Sequence, residues 1–306
     1  LTTAIYNSWL AFDDLHTANQ LSFILLLIIL VVFFIENYSR GAARYHLNSQ
    51  GFRKIPKIKL NYKLGLIICF LCFALFFLSF IFPTAQMIYW TIKFPKYFYD
   101  IDILSLNFNT LLLVIISSMF LIFFALLTNI GNRISKNKIL DYMSFFSISG
   151  YALPGIILGV AFITFFAWIG DTLNYLFGLT NIKGIFIGSI FGLVLAYFIR
   201  FYSLAFNGIK SNYIKINQSI DETSLLLGFS KTKIFTKIHM PYLRNSFFLI
   251  TILISLEIIK ELPMTLILRP FNFETFATQA YIYASQDLLE AASLPSLFLI
   301  FWSVVM

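Results

Sequence analysis

The sequence predicts an all-α integral membrane protein built as a bundle of about seven transmembrane helices. Of its 306 residues, 59% are hydrophobic and only 12% are charged, with a mean hydropathy of +0.83. Soluble domains carry about 25% charged residues. Because lipid offers no hydrogen-bond partner to the backbone, each apolar segment that crosses the bilayer must be a helix.

The apolar stretches run over residues 21–35, 64–90, 108–128, 143–169, 185–206, 246–268 and 288–306. Most of the 22 Lys and Arg residues fall between the first and second stretches, after the third, and between the fifth and sixth, with Arg200 assigned to this last group. The asymmetry predicts that these connections are cytoplasmic and that the chain start lies outside. We expect the net charge of +8 to meet anionic lipid, and not nucleic acid.

Three units are predicted along the chain. Residues 41–61 are polar and basic and form a cytoplasmic linker, so residues 1–40 are expected to be the end of a preceding unit, with its last transmembrane helix. Residues 62–306 form a second unit of six transmembrane helices. The segments LTTAIY (1–6) and FATQAY (276–281) share a T-x-x-Y pattern before an apolar stretch, which indicates a duplication. We expect the chain to be truncated at both ends.

The polar loop at about 206–245 is the largest segment able to meet a soluble partner. Ser219 and Glu222 have the spacing of a capping box, which predicts a helix start. Gly228 predicts a left-handed turn at its end, and a second helix is expected from about Ser230 until Pro241 stops it. Three consecutive leucines, 225–227, need cover either from the protein's own helices or from a partner.

The segment IDETSLLLGFSKTKIFTKIHMP (220–241) resembles the EAA loop of ATP-binding-cassette (ABC) importer permeases. Glu222, Gly228, Ile238 and Pro241 match the family pattern, whereas Thr223, Ser224 and Met240 replace alanine, alanine and leucine. The resemblance implies a type I ABC importer permease-like helix bundle, in which this loop couples to an ATPase. The implied coupling residues are Ser219, Asp221, Glu222, Thr223, Ser224, Gly228, Ile238 and Pro241.

The same resemblance implies the partners. They are a dimer of ABC ATPase subunits, an extracytoplasmic solute-binding protein and the other permease half, in a bacterial inner membrane. The sequence contains no G-x-x-x-x-G-K-[ST] phosphate loop, so ATP and Mg²⁺ are expected on the ATPase and no cofactor on this chain. Asp13, Asp14, Asp100, Asp102 and Asp171 give the outer face an acidic character.

Charged residues inside an apolar stretch need partners, because an unpaired charge at mid-bilayer costs roughly 2.5–3.5 kcal/mol on translocon scales. Glu257 and Lys260 can pair on one helical face, and Glu261 shares a face with Glu257. Two interpretations remain open. These residues either line a gate or solute path, or they form a self-neutralising group of charges at the outer interface. Helix breaks are expected at Pro154 and Pro263. The predicted path or gate residues are Tyr151, Pro154, Gly155, Glu257, Lys260, Glu261, Pro263 and Arg269.

The stretches GYALPGIILGVAF (from Gly150) and KELPMTLILRPFNFETFATQAY (from Lys260) resemble the ferric iron branch of these permeases, including double-length members with two halves on one chain. Ferric iron is therefore the expected solute, with spermidine or putrescine, thiamine and molybdate as alternatives. His16, His46 and His239 are scattered and predict no metal site. Cys69 and Cys72 are expected to be inert packing.

Two other classes of function remain alternatives. A channel or secondary transporter would have a loop packed only on its own helices, and a secondary transporter would place paired ionisable groups on several spans. A membrane enzyme would need a nucleophile, metal cluster or acid–base pair, and none is apparent. We therefore expect a transport subunit that is not itself an enzyme.

Overall fold

The computed structural model describes residues 2–12, 14–40, 60–135, 149–178 and 182–306. Residues 41–59 of the expected linker, including His46, lie outside the described residues, as does Asp13. The described residues form helices joined by turns, without a β-strand.

Thirteen helices are labelled here in chain order. The bounds are α1 Thr2–Leu10, α2 Leu15–Arg40, α3 Tyr62–Lys93, α4 Lys96–Asp100, α5 Ile103–Ser135, α6 Gly155–Phe177, α7 Ile182–Phe186, α8 Ile190–Tyr213, α9 Gln218–Leu226, α10 Lys231–Ile259, α11 Pro263–Leu268, α12 Phe276–Ser285 and α13 Leu289–Val305. A short 3₁₀ turn, Ser149–Ala152, precedes α6.

Six of the described helices, α2, α3, α5, α6, α8 and α10, are long and apolar enough to cross a membrane. This confirms the expected all-α membrane fold, while the seventh predicted span is the shorter apolar helix α13. Two predicted boundaries were wrong. The span expected at 143–169 is a helix from Gly155 to Phe177, because Pro154 sits at its N-cap. The span expected at 246–268 ends at Ile259 and is followed by α11.

Two of the long helices contain a π-helical turn immediately before a proline. Phe77–Ile81 precedes Pro83 in α3, and Phe235–His239 precedes Pro241 in α10. Proline removes one backbone donor and crowds the preceding turn, and a widened turn accommodates the ring without ending the helix. The expectation that Pro241 stops its helix was therefore wrong: α10 runs unbroken from the polar loop into the apolar segment that follows Pro241.

Helix α8 packs against both α5 and α10, and these two helices also pack on each other. Its buried side chains include Tyr197, Phe201 and Phe206, which join the main hydrophobic core. Helix α3, in contrast, has no buried residue and packs mainly on α13. Cys69 and Cys72 are free and exposed on α3, so they do not pack between helices.

The first helical pair resembles the last. Helices α1 and α2 form a short helix, a turn and an apolar helix that pack together, and α12 and α13 repeat this order. Tyr6 and Tyr281, which occupy matching positions of the T-x-x-Y pattern, meet edge to face with ring centroids 5.9 Å apart. Helix α2 also packs on α6, where the Asn19 amide donates to the Thr164 hydroxyl at 3.0 Å.

Candidate functional site

The loop between α8 and α10 is a helix, a glycine turn and a second helix, as predicted. Its first helix, α9, is capped by Asn217, whose side-chain oxygen accepts from the backbone N–H of Ser219 at 3.2 Å. The predicted capping box between Ser219 and Glu222 was wrong. Asn217 precedes Ser219 by two residues and is an equally favourable N-cap, so the helix begins earlier and Ser219 lies inside its first turn.

Gly228 forms the turn that closes α9, with φ of +80°. The backbone N–H of Phe229 donates to the Ser224 carbonyl and the N–H of Gly228 donates to the Leu225 carbonyl, both at 3.0 Å. This pair of bonds is the Schellman motif, which requires a left-handed residue at this point. The next helix starts at once, because the Ser230 hydroxyl accepts from the Lys233 N–H at 3.3 Å.

The tip of the loop exposes its leucines. Leu226 is 88% exposed and Leu227 is 72% exposed, with Leu225 also exposed. Glu222 and Thr223 are exposed beside them, whereas Ser224 is buried and donates to the Ile220 carbonyl. The first alternative for the leucines was that the protein's own helices cover them. In the described part of the chain, no helix does so. Their side chains form an apolar surface beside a carboxylate.

Asp221 anchors α9 to the rest of the bundle. Its Oδ2 accepts from Arg133 Nε at 2.6 Å, and its Oδ1 lies 2.9 Å from His239 Nε2. Arg133 belongs to α5 and His239 to the π turn of α10, so one carboxylate joins three helices. We call Arg133, Asp221, His239 and Tyr213 the loop anchor. Tyr213 contributes its ring, which packs edge to face on His239.

The remaining donors of Arg133 cap the end of α8. Nη1 donates to the Tyr213 carbonyl at 3.0 Å, and Nη2 donates to the Ile216 carbonyl at 3.1 Å. Burial raises the pKa of Asp221, but hydrogen bonds from Arg133 and His239 outweigh burial and hold the pKa below its usual value. Asp221 therefore remains ionised at neutral pH, and no local sequence pattern indicates Arg133 as its partner.

A small cavity of about 160 Å³ opens beside the loop anchor. Its lining is mainly apolar and comes from the end of α5, from α9 and from the start of α10. Lining residues include Ile130, Leu225, Ile234 and Phe235. The loop thus offers both a projecting apolar tip and a neighbouring apolar recess.

A second ion pair lies within the bundle. Arg200 Nη1, in the middle of α8, donates to Glu261 Oε1 at 3.0 Å, and the two side chains are 18% and 6% exposed. Glu261 occupies the break between α10 and α11. Its Oε1 also accepts from the Met264 N–H at 3.3 Å, and its carbonyl accepts from the Thr265 hydroxyl at 2.6 Å.

The buried pair corrects two expectations. Arg200 was assigned to a cytoplasmic connection, but it lies inside α8, because the apolar helix accommodates one paired charge. Glu261 was expected to share a helical face with Glu257, but α10 ends at Ile259 and Glu261 turns toward α8. Glu257 and Lys260 do pair, at 2.7 Å, with Lys260 exposed.

The other predicted path residues are spread over several elements. Pro154 caps α6 and Gly155 begins it, directly against the Arg200–Glu261 pair. Pro263 begins α11. Tyr151 is exposed in the 3₁₀ turn near the Phe201 ring. Arg269 pairs with Glu274 in the connection between α11 and α12.

The described part of the chain contains no group of three or more His, Cys, Asp or Glu residues that could hold a metal ion.

Two of the predicted outer-face acids have local partners. Asp14 accepts from the Thr17 N–H at 3.0 Å, and Asp102 accepts from the Ser105 N–H at 3.1 Å, each at the start of a helix.

No protein-family model and no curated protein matches the sequence. Two crystal structures match the fold. A bacterial alginate ABC transporter, in complex with an alginate pentasaccharide-bound periplasmic protein, contains a chain with a TM-score of 0.64 and 15% identity over 79% of this chain and 90% of that chain. A bacterial ABC transporter involved in the import of the acidic polysaccharide alginate gives a TM-score of 0.60 and 16% identity, with the same coverage. At this identity the likeness establishes the fold.

Proposed function

We propose that the chain is the membrane permease of an ATP-driven importer, coupled through the α8–α10 loop to a separate ATPase. The observation that supports this most directly is the loop itself. An apolar tip at Leu226 and Leu227 projects from a glycine turn, on a helix anchored by Arg133 and Asp221. Exposed apolar surface on a rigid support is typical of a protein interface.

The mechanism follows from how the loop is held. Helix α9 cannot move without α5 and α10, because the loop anchor joins them, and α10 continues from the loop into the membrane span. Closure of the ATPase dimer on ATP would displace α9 and tilt α10, and hydrolysis would reset it. ATP and Mg²⁺ bind the ATPase, and this chain is not itself an enzyme.

The channel and secondary-transporter alternatives are less well supported. A loop in either class has no need of an exposed leucine tip. The fold likeness to chains of ABC transporters also favours the importer. The buried Arg200 and Glu261 neutralise each other, so this pair needs no coupling ion.

Ferric iron is the first solute to test, since the segments from Gly150 and Lys260 resemble the iron branch. An acidic polysaccharide is a second candidate because the two matching structures come from alginate transporters. Spermidine or putrescine, thiamine and molybdate remain further alternatives. In each case an extracytoplasmic binding protein would select the solute and dock on the outer loops of an inner-membrane complex.

The other permease half is proposed to belong to the same full-length chain. Residues 2–40 pack on the second unit through α2 and α6, and the matched tyrosines Tyr6 and Tyr281 touch. Contact between equivalent positions of two repeats is what a pseudo-twofold axis produces. The first helical pair would then be the end of the first half.

The test is co-purification of the full-length permease with its ATPase, followed by ATP hydrolysis in lipid nanodiscs. Leu226→Glu should weaken ATPase binding at least about tenfold, because it would bury an unpaired carboxylate in the interface. Leu104→Glu is the matched control: Leu104 is 83% exposed at the opposite end of α5. Equal binding by wild type and Leu226→Glu, or no associated ATPase, would contradict the proposal.

The solute is identified in the same nanodiscs. Candidate binding proteins loaded with ferric iron, an alginate oligosaccharide, spermidine, thiamine or molybdate are added in turn, and the ATPase rate is measured. Stimulation by the iron-loaded protein alone supports the iron assignment. Stimulation by another loaded protein keeps the importer and replaces its solute.

A further inference from the structure

The Arg200–Glu261 pair lies where four helices meet. Arg200 comes from the middle of α8, and Glu261 joins the end of α10 to the start of α11. The beginning of α6 forms the wall behind them. Glu261 is only 6% exposed and Arg200 is 18% exposed.

Helix α6 makes room for the pair with glycine. A Cβ added at Gly155 would lie 1.7 Å from Arg200 Nη1 and 2.5 Å from Glu261 Oε1. One turn later, a Cβ at Gly159 would lie 3.1 Å from Ile267 Cδ1 of α11. The two glycines share a helical face in a G-x-x-x-G arrangement, which lets neighbouring helices approach the backbone closely.

Helix α8 holds α11 at a second point. The Tyr197 hydroxyl hydrogen-bonds the Thr265 hydroxyl, and Tyr197 lies one turn from Arg200 on α8. Arg200 therefore fixes the break before α11, and Tyr197 fixes α11 itself. Separation of the ion pair would leave two charges in a low-dielectric interior, which is strongly unfavourable.

The other end of α10 is the coupling loop. Helix α10 is continuous over 29 residues from Lys231 to Ile259, a length of about 43 Å. Glu261 follows its last residue by two positions and moves with its end. Helix α10 thus connects the loop anchor to the Arg200–Glu261 pair.

We propose that Arg200 is a positioning residue for transport, whose ion pair with Glu261 locks α8 to the α10–α11 break so that loop displacement moves α11 across the glycine face of α6. The inference rests on the proposed importer function and assigns its transmission element. Arg200 and Glu261 stay paired through the cycle and move as one body. The solute gate is then the α11 surface, and neither charged side chain contacts the solute.

The experiment measures solute transported per ATP hydrolysed by the full-length complex in proteoliposomes. Glu261→Gln and Gly155→Ala should each lower this ratio about tenfold, a coupling change within the range seen at positions between two sites. Bound ATPase subunit and ATP hydrolysis should persist. Gly155→Ala removes no charge. If both variants lower the transport ratio to a similar extent, the geometry of the Arg200–Glu261 pair is the cause of the loss.

Two matched controls separate this role from general damage. Glu257→Gln removes a carboxylate one turn away whose partner Lys260 is exposed, and Gly65→Ala adds a methyl where nothing lies within 4 Å. Both should keep the ratio within about twofold of wild type.

The double variant Arg200→Gln/Glu261→Gln covers the case in which single variants fail to accumulate. It leaves no unpaired charge, and neutral replacement of a buried pair is commonly tolerated by folding. A folded double variant with a lowered ratio supports the proposal, and one with the wild-type ratio overturns it. If wild-type permease binds no ATPase, it is the importer function that fails.

Discussion

Two guanidinium–carboxylate pairs join helices that are far apart in the sequence, and they differ in how completely the arginine is satisfied. Arg133 in the loop anchor donates to Asp221 and to the carbonyls of Tyr213 and Ile216, at and just after the end of α8. Arg200 donates to Glu261 inside the bundle, and its Nε is buried without a hydrogen-bond partner. Similar ion pairs therefore differ in what they contribute to this bundle. In the loop anchor, all three guanidinium nitrogens of Arg133 donate a hydrogen bond, whereas the inner pair leaves one nitrogen of Arg200 without a partner.

The inner pair should show the largest effect on stability. Arg200→Ala leaves Glu261 buried and unpaired, so we expect the free energy of unfolding to fall by about 3–5 kcal/mol. Denaturation in mixed detergent–SDS micelles measures it. Arg200→Ala/Glu261→Ala should recover most of the loss, because no buried charge remains. A double variant as unstable as the single one would mean that packing, and not charge, dominates.

The loop anchor should show a smaller and more local effect. Arg133→Ala removes one of the two partners of Asp221 and leaves only His239, and it also removes the cap of α8, with an expected loss of about 1–3 kcal/mol. Hydrogen exchange should rise in residues 218–226, with little change in α6. An equal increase in hydrogen exchange in all helices would show that the anchor supports the whole bundle. The two ion pairs would then not differ in this respect.

Gly228 tests the turn separately from the anchor. Alanine at φ of +80° should cost about 1–2 kcal/mol of local stability, since side chains are unfavourable in the left-handed region. An added Cβ meets nothing within 4 Å, so the cost is purely conformational. Weakened ATPase binding with an unchanged global unfolding midpoint is expected. Gly228→Asn, which tolerates this conformation better, should lose less affinity than Gly228→Ala.

The Glu257–Lys260 pair should show the smallest effect. Lys260 is exposed, and solvent-exposed ion pairs contribute only about 0–1 kcal/mol. Lys260→Ala should therefore change the free energy of unfolding little. Added salt should not enlarge the difference between this variant and the wild type. A loss as large as that of Arg200→Ala would place this pair in a water-excluded environment.

The sequence predicted the features that depend on near neighbours. Hydropathy located the apolar helices, and the glycine turn at Gly228 followed from one residue type. The i, i+3 spacing predicted the Glu257–Lys260 pair. Helix boundaries were less certain, since Asn217 and Ser219 compete as caps and a π turn lets α10 pass Pro241.

Only the tertiary structure decided which distant residues meet. Arg133 and Asp221 are 88 residues apart, and Arg200 and Glu261 are 61 apart. No local pattern encodes such pairs, because they depend on how α5, α8 and α10 pack. By itself, the sequence determined that the chain is a helical membrane protein with a basic, polar loop that carries three consecutive leucines. The packing of its helices decided where the two arginines are neutralised, because a charge in an apolar bundle must pair with the carboxylate that the fold brings to it.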